Sequence, residues 1–197
     1  MNEENKIELE ELAKLMMHLF VIRNDSYAKQ LEKGYLAVKE PITLELIKNH
    51  LLGTITIGAY QLDGEMVKWG CDDFDKNTIE DFENAKRLFK YLKELGYHPL
   101  MEMSGGGEFK CHIWIFADTA AELMEDFLED ACDKTQIFPH EVFPKQVKVT
   151  EGGFGNLVKL PLGIHKKTGK RSYFLDDDFN EIKSMEEVVK QLSQYLD

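Results

Sequence analysis

Apolar residues recur at helical spacing near the start of the chain. Ile7, Leu12, Leu15, Met16, Leu19 and Phe20 predict a helix within residues 6–32, breaking near Asn24-Asp25-Ser26. After Pro41, Thr43-Leu44-Glu45-Leu46-Ile47 predicts a second short helix running to Gly53. The period then changes. Thr54-Ile55-Thr56-Ile57-Gly58-Ala59-Tyr60 is β-rich, Leu62-Asp63-Gly64 holds a D-G turn, and an apolar run starts at Val67, so a hairpin is predicted. Asn77-x-x-Glu80 has the form of a capping box. It opens an amphipathic helix with Ile79, Phe82, Ala85, Leu88, Phe89, Leu92 and Leu95 inward, stopped by Gly96.

Pro99–Met103 reads as a short strand, Ser104-Gly105-Gly106-Gly107 as a loop and Phe109–Phe116 as another strand. Asp118 is placed to cap a helix reaching about Cys132. Short strands are predicted at 147–149, 156–160 and 172–176, and Ser184-x-x-Glu187 caps a last helix bearing Val188, Val189, Leu192 and Leu196. Strands and helices alternate without a repeat or low-complexity linker, which sets the class as α/β or α+β.

A length of 197 residues suits one large domain or two small lobes around a shared sheet. Hydrophobic residues at 43% supply a core and exclude global disorder. No apolar run approaches the roughly 20 residues of a membrane span, and Met1-Asn2-Glu3-Glu4-Asn5-Lys6 is unlike a secretory signal. Cys71, Cys111 and Cys132 contain no C-x-x-C, so neither a disulfide framework nor a zinc knuckle is indicated. A cytoplasmic protein without a membrane partner is expected.

Net charge is −12, which argues against generic polyanion binding. The charge is unevenly placed. Lys145 to Arg171 holds seven Lys/Arg against one acid, Glu151, so this segment is +6 and the remainder −18. A basic strip on an acidic body suits a cleft that grips phosphates; a solvated lysine-rich loop is the plainer reading.

Candidate chemistry begins at Asp73-Phe74-Asp75, which ends the Val67 run. On a strand, Asp73 and Asp75 point the same way, about 7 Å apart, while Asp72 shares its face with Phe74. Carboxylates at that spacing can share two divalent cations about 3.5–4 Å apart, although many D-x-D pairs are only solvated strand ends. The Ser104–Gly107 loop can bring backbone N–H groups close to a phosphate. His112, with Trp114 on its face, can donate to a triphosphate oxygen. A glycine turn and a satisfied edge histidine are the ordinary alternatives. Glu141 adds a third carboxylate, and Lys159, His165 and Lys166 add phosphate donors. Metal-binding acids beside a basic glycine-rich segment describe nucleotide chemistry.

These pieces have a family resemblance. D-F-D at 73–75, SGGG with H-I-W-I-F, E-V-F-P-K-Q from Glu141, and G-N-L-V-K-L-P-L-G-I-H-K-K-T-G from Gly155 resemble, in that order, the archaeo-eukaryotic primase superfamily. Within it they are most like the primase-polymerases of TOTE conflict systems and CRISPR-associated operons. Phe20–Ala28, His50-Leu51-x-Gly53 and Ile57–Tyr60 also fit, so the resemblance spans roughly residues 18–178.

The resemblance implies a two-lobed α/β (α+β) primase core with an RRM-like sheet, as a single catalytic domain over 1–197. It would comprise an N-terminal helical region (1–53), a catalytic α/β core (54–178) and a C-terminal helix (179–197). It implies template-directed nucleotidyl transfer, a DNA primase or DNA polymerase using dNTPs or NTPs on a single-stranded DNA template and primer. Asp73, Asp75 and Glu141 would be the catalytic and metal-binding acids for two Mg²⁺ or Mn²⁺ ions. Ser104, Gly105, Gly106, His112, Lys159, His165 and Lys166 would bind nucleotide. Lys170 and Arg171, in the basic strip, are the candidate template contacts, and an accessory protein is a candidate further partner.

Two departures from the family pattern stand out. Glu108-Phe109-Lys110-Cys111 separates the glycines from His112, and the extra Asp72 beside the D-F-D leaves a second register for the acid pair, with parity favouring Asp73/Asp75. The family zinc-binding element is not evident, since no two cysteines are close. A minimal catalytic core is expected. The rival readings are a non-catalytic primase-like nucleic-acid-binding subunit and a template-independent nucleotide-processing enzyme.

Overall fold

Two antiparallel sheets and five helices form a mixed α/β fold in a computed structural model that describes residues 3–150 and 152–196. Met1, Asn2, Glu151 and Asp197 lie outside the described residues. Helix α1 (Glu3–Phe20) buries Leu9, Leu12, Leu15, Met16, Leu19 and Phe20, as its periodicity predicts. It stops at Phe20, whose carbonyl accepts from Trp69 Nε1 at 3.0 Å.

The expected helix over 6–32 is therefore too long. Arg23 and Asp25 pair through the turn at 2.6 Å, and the chain continues as strands β1 (Tyr27–Gln30) and β2 (Tyr35–Val38). Helical periodicity ends at Phe20, and one of the strands that pairs with 27–30 lies well along the chain. Helix α2 (Leu44–Leu52) is capped by Thr43, which accepts from Leu46 N at 3.1 Å, and ends at Gly53.

The expected hairpin is not formed. Asp63 and Met66 exchange backbone hydrogen bonds at the D-G turn, but β3 (Ile57–Tyr60) and β4 (Met66–Phe74) belong to different sheets. All of β3 is buried, and both its edges are taken, by β1 and by β8 (Leu157–Lys159). The first sheet runs β2-β1-β3-β8, so it crosses the expected boundary at residue 53, and the N-terminal region contributes β1 and β2 to it.

Helix α3 (Ile79–Glu94) starts one residue later than expected. Thr78 Oγ1 caps Asp81 N at 3.2 Å, while Asn77 takes a positive φ and accepts from Phe109 N. Ile79 and Leu95, at its two ends, are exposed rather than inward. Strands β5 (Leu100–Met103) and β6 (Cys111–Ala120) pair; β6 runs on through Asp118, so α4 (Ala121–Thr135) has no side-chain cap. The strand expected at 147–149 is absent, and β7 (Glu141–Phe143) lies upstream of it. Strand β9 (Tyr173–Leu175) and helix α5 (Met185–Ser193), with its Ser184/Glu187 capping box, follow.

The second sheet, β7-β4-β6-β5-β9, is the middle layer. Its alternation is clean. Phe74, Met101, Met103, Cys111, Ile113 and Ile115 face α3 and α4, and Trp69, Cys71, Leu100 and Trp114 face the core shared with α1, α2, α5 and the first sheet. Among the described residues, no helix is long and apolar enough to cross a membrane.

Candidate active site

Register across the middle sheet lines up four polar side chains. Asp73 on β4 lies opposite Glu141 on β7 and opposite His112 on β6, and His112 lies opposite Glu102 on β5. The next same-face row is apolar: Phe143, Cys71, Trp114 and Leu100. The strands thus pass from core to site within two residues. Asp72, on the other face, is buried among the helices with Oδ1 unpartnered, so the parity argument that set it apart from Asp73 and Asp75 agrees with its position.

Glu141, Asp73 and His112 of this row line a cleft of about 320 Å³, within the size range of small-ligand sites. Of the expected site residues, Asp73, Asp75, Glu141, His112, Ser104, Gly106, Lys159 and His165 line it, as do Lys110, Lys167 and Tyr35. Asp75 pairs with Lys110 Nζ at 2.8 Å and Glu141 pairs with Lys145. Burial raises the Asp73 pKa from its ordinary value, and the charges of Asp75 and Glu141 add to the rise against the opposing pull of His112.

His112 is held from behind. Its Nδ1–H donates to Glu102 Oε2 at 2.9 Å, Trp114 Nε1 donates to the same oxygen at 3.0 Å, and its Nε2 faces Asp73 Oδ1 at 3.6 Å. Burial pushes its pKa down, but the charge and hydrogen bond of Glu102 outweigh that and leave it raised. Glu102 is fully buried; burial pushes its pKa up, yet Lys159 and His112 bring it below the ordinary carboxylate value. Lys159 Nζ donates to Glu102 Oε1 at 3.2 Å, Leu160 O at 3.0 Å and Ser172 Oγ at 3.1 Å. His165 faces the cleft with its pKa lowered by burial, then by Lys159, Lys110 and Lys167.

Other expected contacts fall outside the cleft lining. Gly105 has φ +75, and a Cβ there would come 2.9 Å from Lys170 O, so it packs on the 164–171 turn, where Thr168 Oγ1 also donates to its carbonyl. Lys166 joins through its main chain, donating N–H to Gln30 Oε1 at 2.9 Å; Gln30 Nε2 in turn donates to the Tyr35 hydroxyl. The Arg171 guanidinium donates to the carbonyls of Leu51 and Leu162 at 2.6 and 2.5 Å. Lys170 is exposed on the same turn.

Glu102, Lys110, Lys167 and Tyr35 were not foreseen. One signal existed for Glu102: a lone acid at the one polar position of Leu100-Met101-Glu102-Met103.

The fold is that of archaeo-eukaryotic primase-polymerases, as structural likeness shows. The chain resembles the AEP domain of the cyanophage S-2L primase-polymerase (TM-score 0.52, 13% identity, 95% of this chain and 97% of that one). It also resembles the polymerase domain of Mycobacterium tuberculosis ligase D, solved in complex with DNA (TM-score 0.51, 10% identity, 95% and 87%). A third likeness is to primase RepB′ (TM-score 0.50, 11% identity, 94% and 62%). No curated protein matches in sequence. The particular family follows from the family model for the TOTE conflict system archaeo-eukaryotic primase domain, which matches residues 11–196: the chain belongs to that family.

Proposed function

We propose that this chain is a template-directed nucleotidyltransferase that makes or extends primers from dNTPs or NTPs on single-stranded DNA. The observation that carries the reading is the row Glu141–Asp73–His112, completed by Asp75, in one cleft with the cations Lys110 and Lys167. Three carboxylates are hard oxygen donors suited to Mg²⁺ or Mn²⁺. Among the described residues no three such side chains converge tightly enough to hold an ion, and Asp75 and Glu141 each face a lysine. The donor set fits nonetheless, since mutual repulsion already acts on Asp73 and a dication would relieve it. Asp73, Asp75 and Glu141 would hold two ions, whose chemistry is to acidify the attacking 3′-hydroxyl and neutralise the leaving pyrophosphate. His112 Nε2, His165, Lys110 and Lys167, with the Ser104–Gly106 turn, would orient the triphosphate and steady its developing charge.

The deciding experiment is extension of a labelled primer on a single-stranded template, with unprimed and template-free controls, in Mg²⁺ and then Mn²⁺. Template-dependent products are expected. Nucleotide turnover that persists without template overturns the reading in favour of a nucleotide-processing enzyme.

His112→Ala should raise KM for nucleotide and lower kcat. Loss of one charge-assisted hydrogen bond, about 1.5–3 kcal/mol, corresponds to about 10- to 100-fold in kcat/KM. A lowered Tm with unchanged nucleotide kinetics would assign the ring to structure alone.

Template binding should be weak and salt-sensitive. Three or four phosphates at roughly 0.7 each give a log–log salt slope of about −2 to −3. Lys170→Glu should weaken single-strand binding and leave nucleotide affinity unchanged. Arg171→Glu should chiefly lower Tm, because the Leu51 and Leu162 carbonyls lose their donor. Unchanged single-strand affinity in Lys170→Glu would place the template elsewhere.

A further inference from the structure

Glu102 sits in an otherwise apolar strand with no exposed surface. A buried carboxylate is costly unless its acceptor sites are filled. Here one oxygen takes the ring N–H groups of His112 and Trp114, and the other takes the Lys159 ammonium. The consequence for His112 is directional. With Nδ1 committed to Glu102, Nε2 is the one ring nitrogen left to meet a ligand, and it is the nitrogen that faces Asp73.

The consequence for Lys159 is different. An ammonium has three protons, and Glu102 Oε1, Leu160 O and Ser172 Oγ take all three. Lys159 therefore reaches the cleft lining with its protons already directed at partners within the protein. Lys159 lies on β8 of the first sheet, and Glu102 lies on β5 of the second. Their ion pair is therefore a strut between the sheets at the inner side of the cleft, whose lining includes Leu157, Val158 and Lys159 from one sheet and Asp73 and His112 from the other.

We propose that Glu102 is a positioning residue for nucleotidyl transfer: it aims His112 into the cleft and, through Lys159, fixes the spacing of the two sheets that hold the substrate. The proposal rests on the polymerase reading above. It reassigns Lys159 from nucleotide ligand to strut.

The test separates position from stability. Glu102→Leu alone strands the Lys159 charge and removes the acceptor for His112, and Lys159→Met alone strands the Glu102 charge, so each should lower Tm. The double variant removes both charges and should regain much of the lost Tm. A purely structural Glu102 would then regain activity with it. The proposal expects kcat/KM for nucleotide to stay about 10- to 100-fold below wild type, the usual cost of losing an outer-shell orienting partner.

Adding His112→Ala to the double variant should then cost less than about 3-fold, against its full effect in wild type, because residues acting as one unit are non-additive. Wild-type activity in the double variant, or an undiminished His112→Ala effect within it, overturns the proposal. Ring ¹H–¹⁵N spectra of the unmodified protein give a check that needs no variant to fold: His112 should carry an exchange-protected proton on Nδ1, and a bare Nδ1 overturns the assignment. Titration calorimetry with a dNTP and Mg²⁺ accompanies every kinetic comparison. Absence of extension by wild type, with the calorimetric and spectral pattern intact, would overturn the polymerase reading and leave Glu102 assigned.

Discussion

Asp73→Asn is expected to abolish template-directed extension, by about 10³-fold or more, while Tm stays at or above the wild-type value. The activity side follows from position. Asp73 is the central acid of the row, flanked by Glu141 and His112 with Asp75 two residues on, so under the proposed reading it is the carboxylate that both ions would share. Loss of several kcal/mol of transition-state stabilisation corresponds to about three decades in rate. The stability side follows from electrostatics. Burial and then the charges of Asp75 and Glu141 penalise the ionised Asp73 carboxyl, and His112 offsets only some of that. An isosteric amide removes the penalty and keeps the shape. Extension assays and thermal melts on the same preparation check both halves. A variant that extends primers near the wild-type rate would end the carboxylate assignment, and one that melts well below wild type would show that Asp73 holds the fold.

Sequence pattern matched structure where the signal was local. Parity along one strand set Asp73 and Asp75 apart from Asp72, and the Thr43 and Ser184 starts were legible because a cap is a contact within four residues. It failed where partners were distant. Tyr27-Ala-Lys-Gln has no strand signature of its own; it is a strand because β2 and β3 hydrogen-bond to it. The D-G turn at Asp63 is real, yet β3 pairs with β1 and β8 rather than β4, a choice no local pattern encodes.

The site divides the same way. His112 was visible as a motif, but Glu102 and Lys159 become partners only when two sheets meet. Arg171, a candidate template contact from its place in the basic strip, donates to the Leu51 and Leu162 carbonyls, partners that only the folded chain brings to it.

Acid should destabilise the protein through His50, a residue whose sequence context belongs to the family resemblance and whose structural role is architectural. The ring is fully buried near the end of α2. Its Nδ1 accepts from Ile57 N at 3.1 Å and its Nε2–H donates to Pro161 O at 2.9 Å, so the neutral ring ties α2 to β3 and to the segment after β8. Gly163 packs against the ring so closely that a Cβ there would run into it. Protonation would place a second proton against the Ile57 N–H.

Burial, then the nearby Lys159 charge, holds the His50 pKa at about 4 against an ordinary 6.5. Between those values the unfolded chain binds a proton that the folded chain refuses. The stabilisation is therefore complete above the unfolded pKa and is lost as pH falls toward about 4. The difference amounts to about 3 kcal/mol between neutral pH and about pH 4. His50→Asn can keep the acceptor for Ile57 but leaves the Pro161 carbonyl unpartnered, which should cost about 1–3 kcal/mol at about pH 8. Denaturant titrations of the two proteins should converge as pH falls from about 7 to about 4, since only the wild type loses the His50 contribution. Curves that stay parallel across that range would show that His50 is not the group whose protonation weakens the fold.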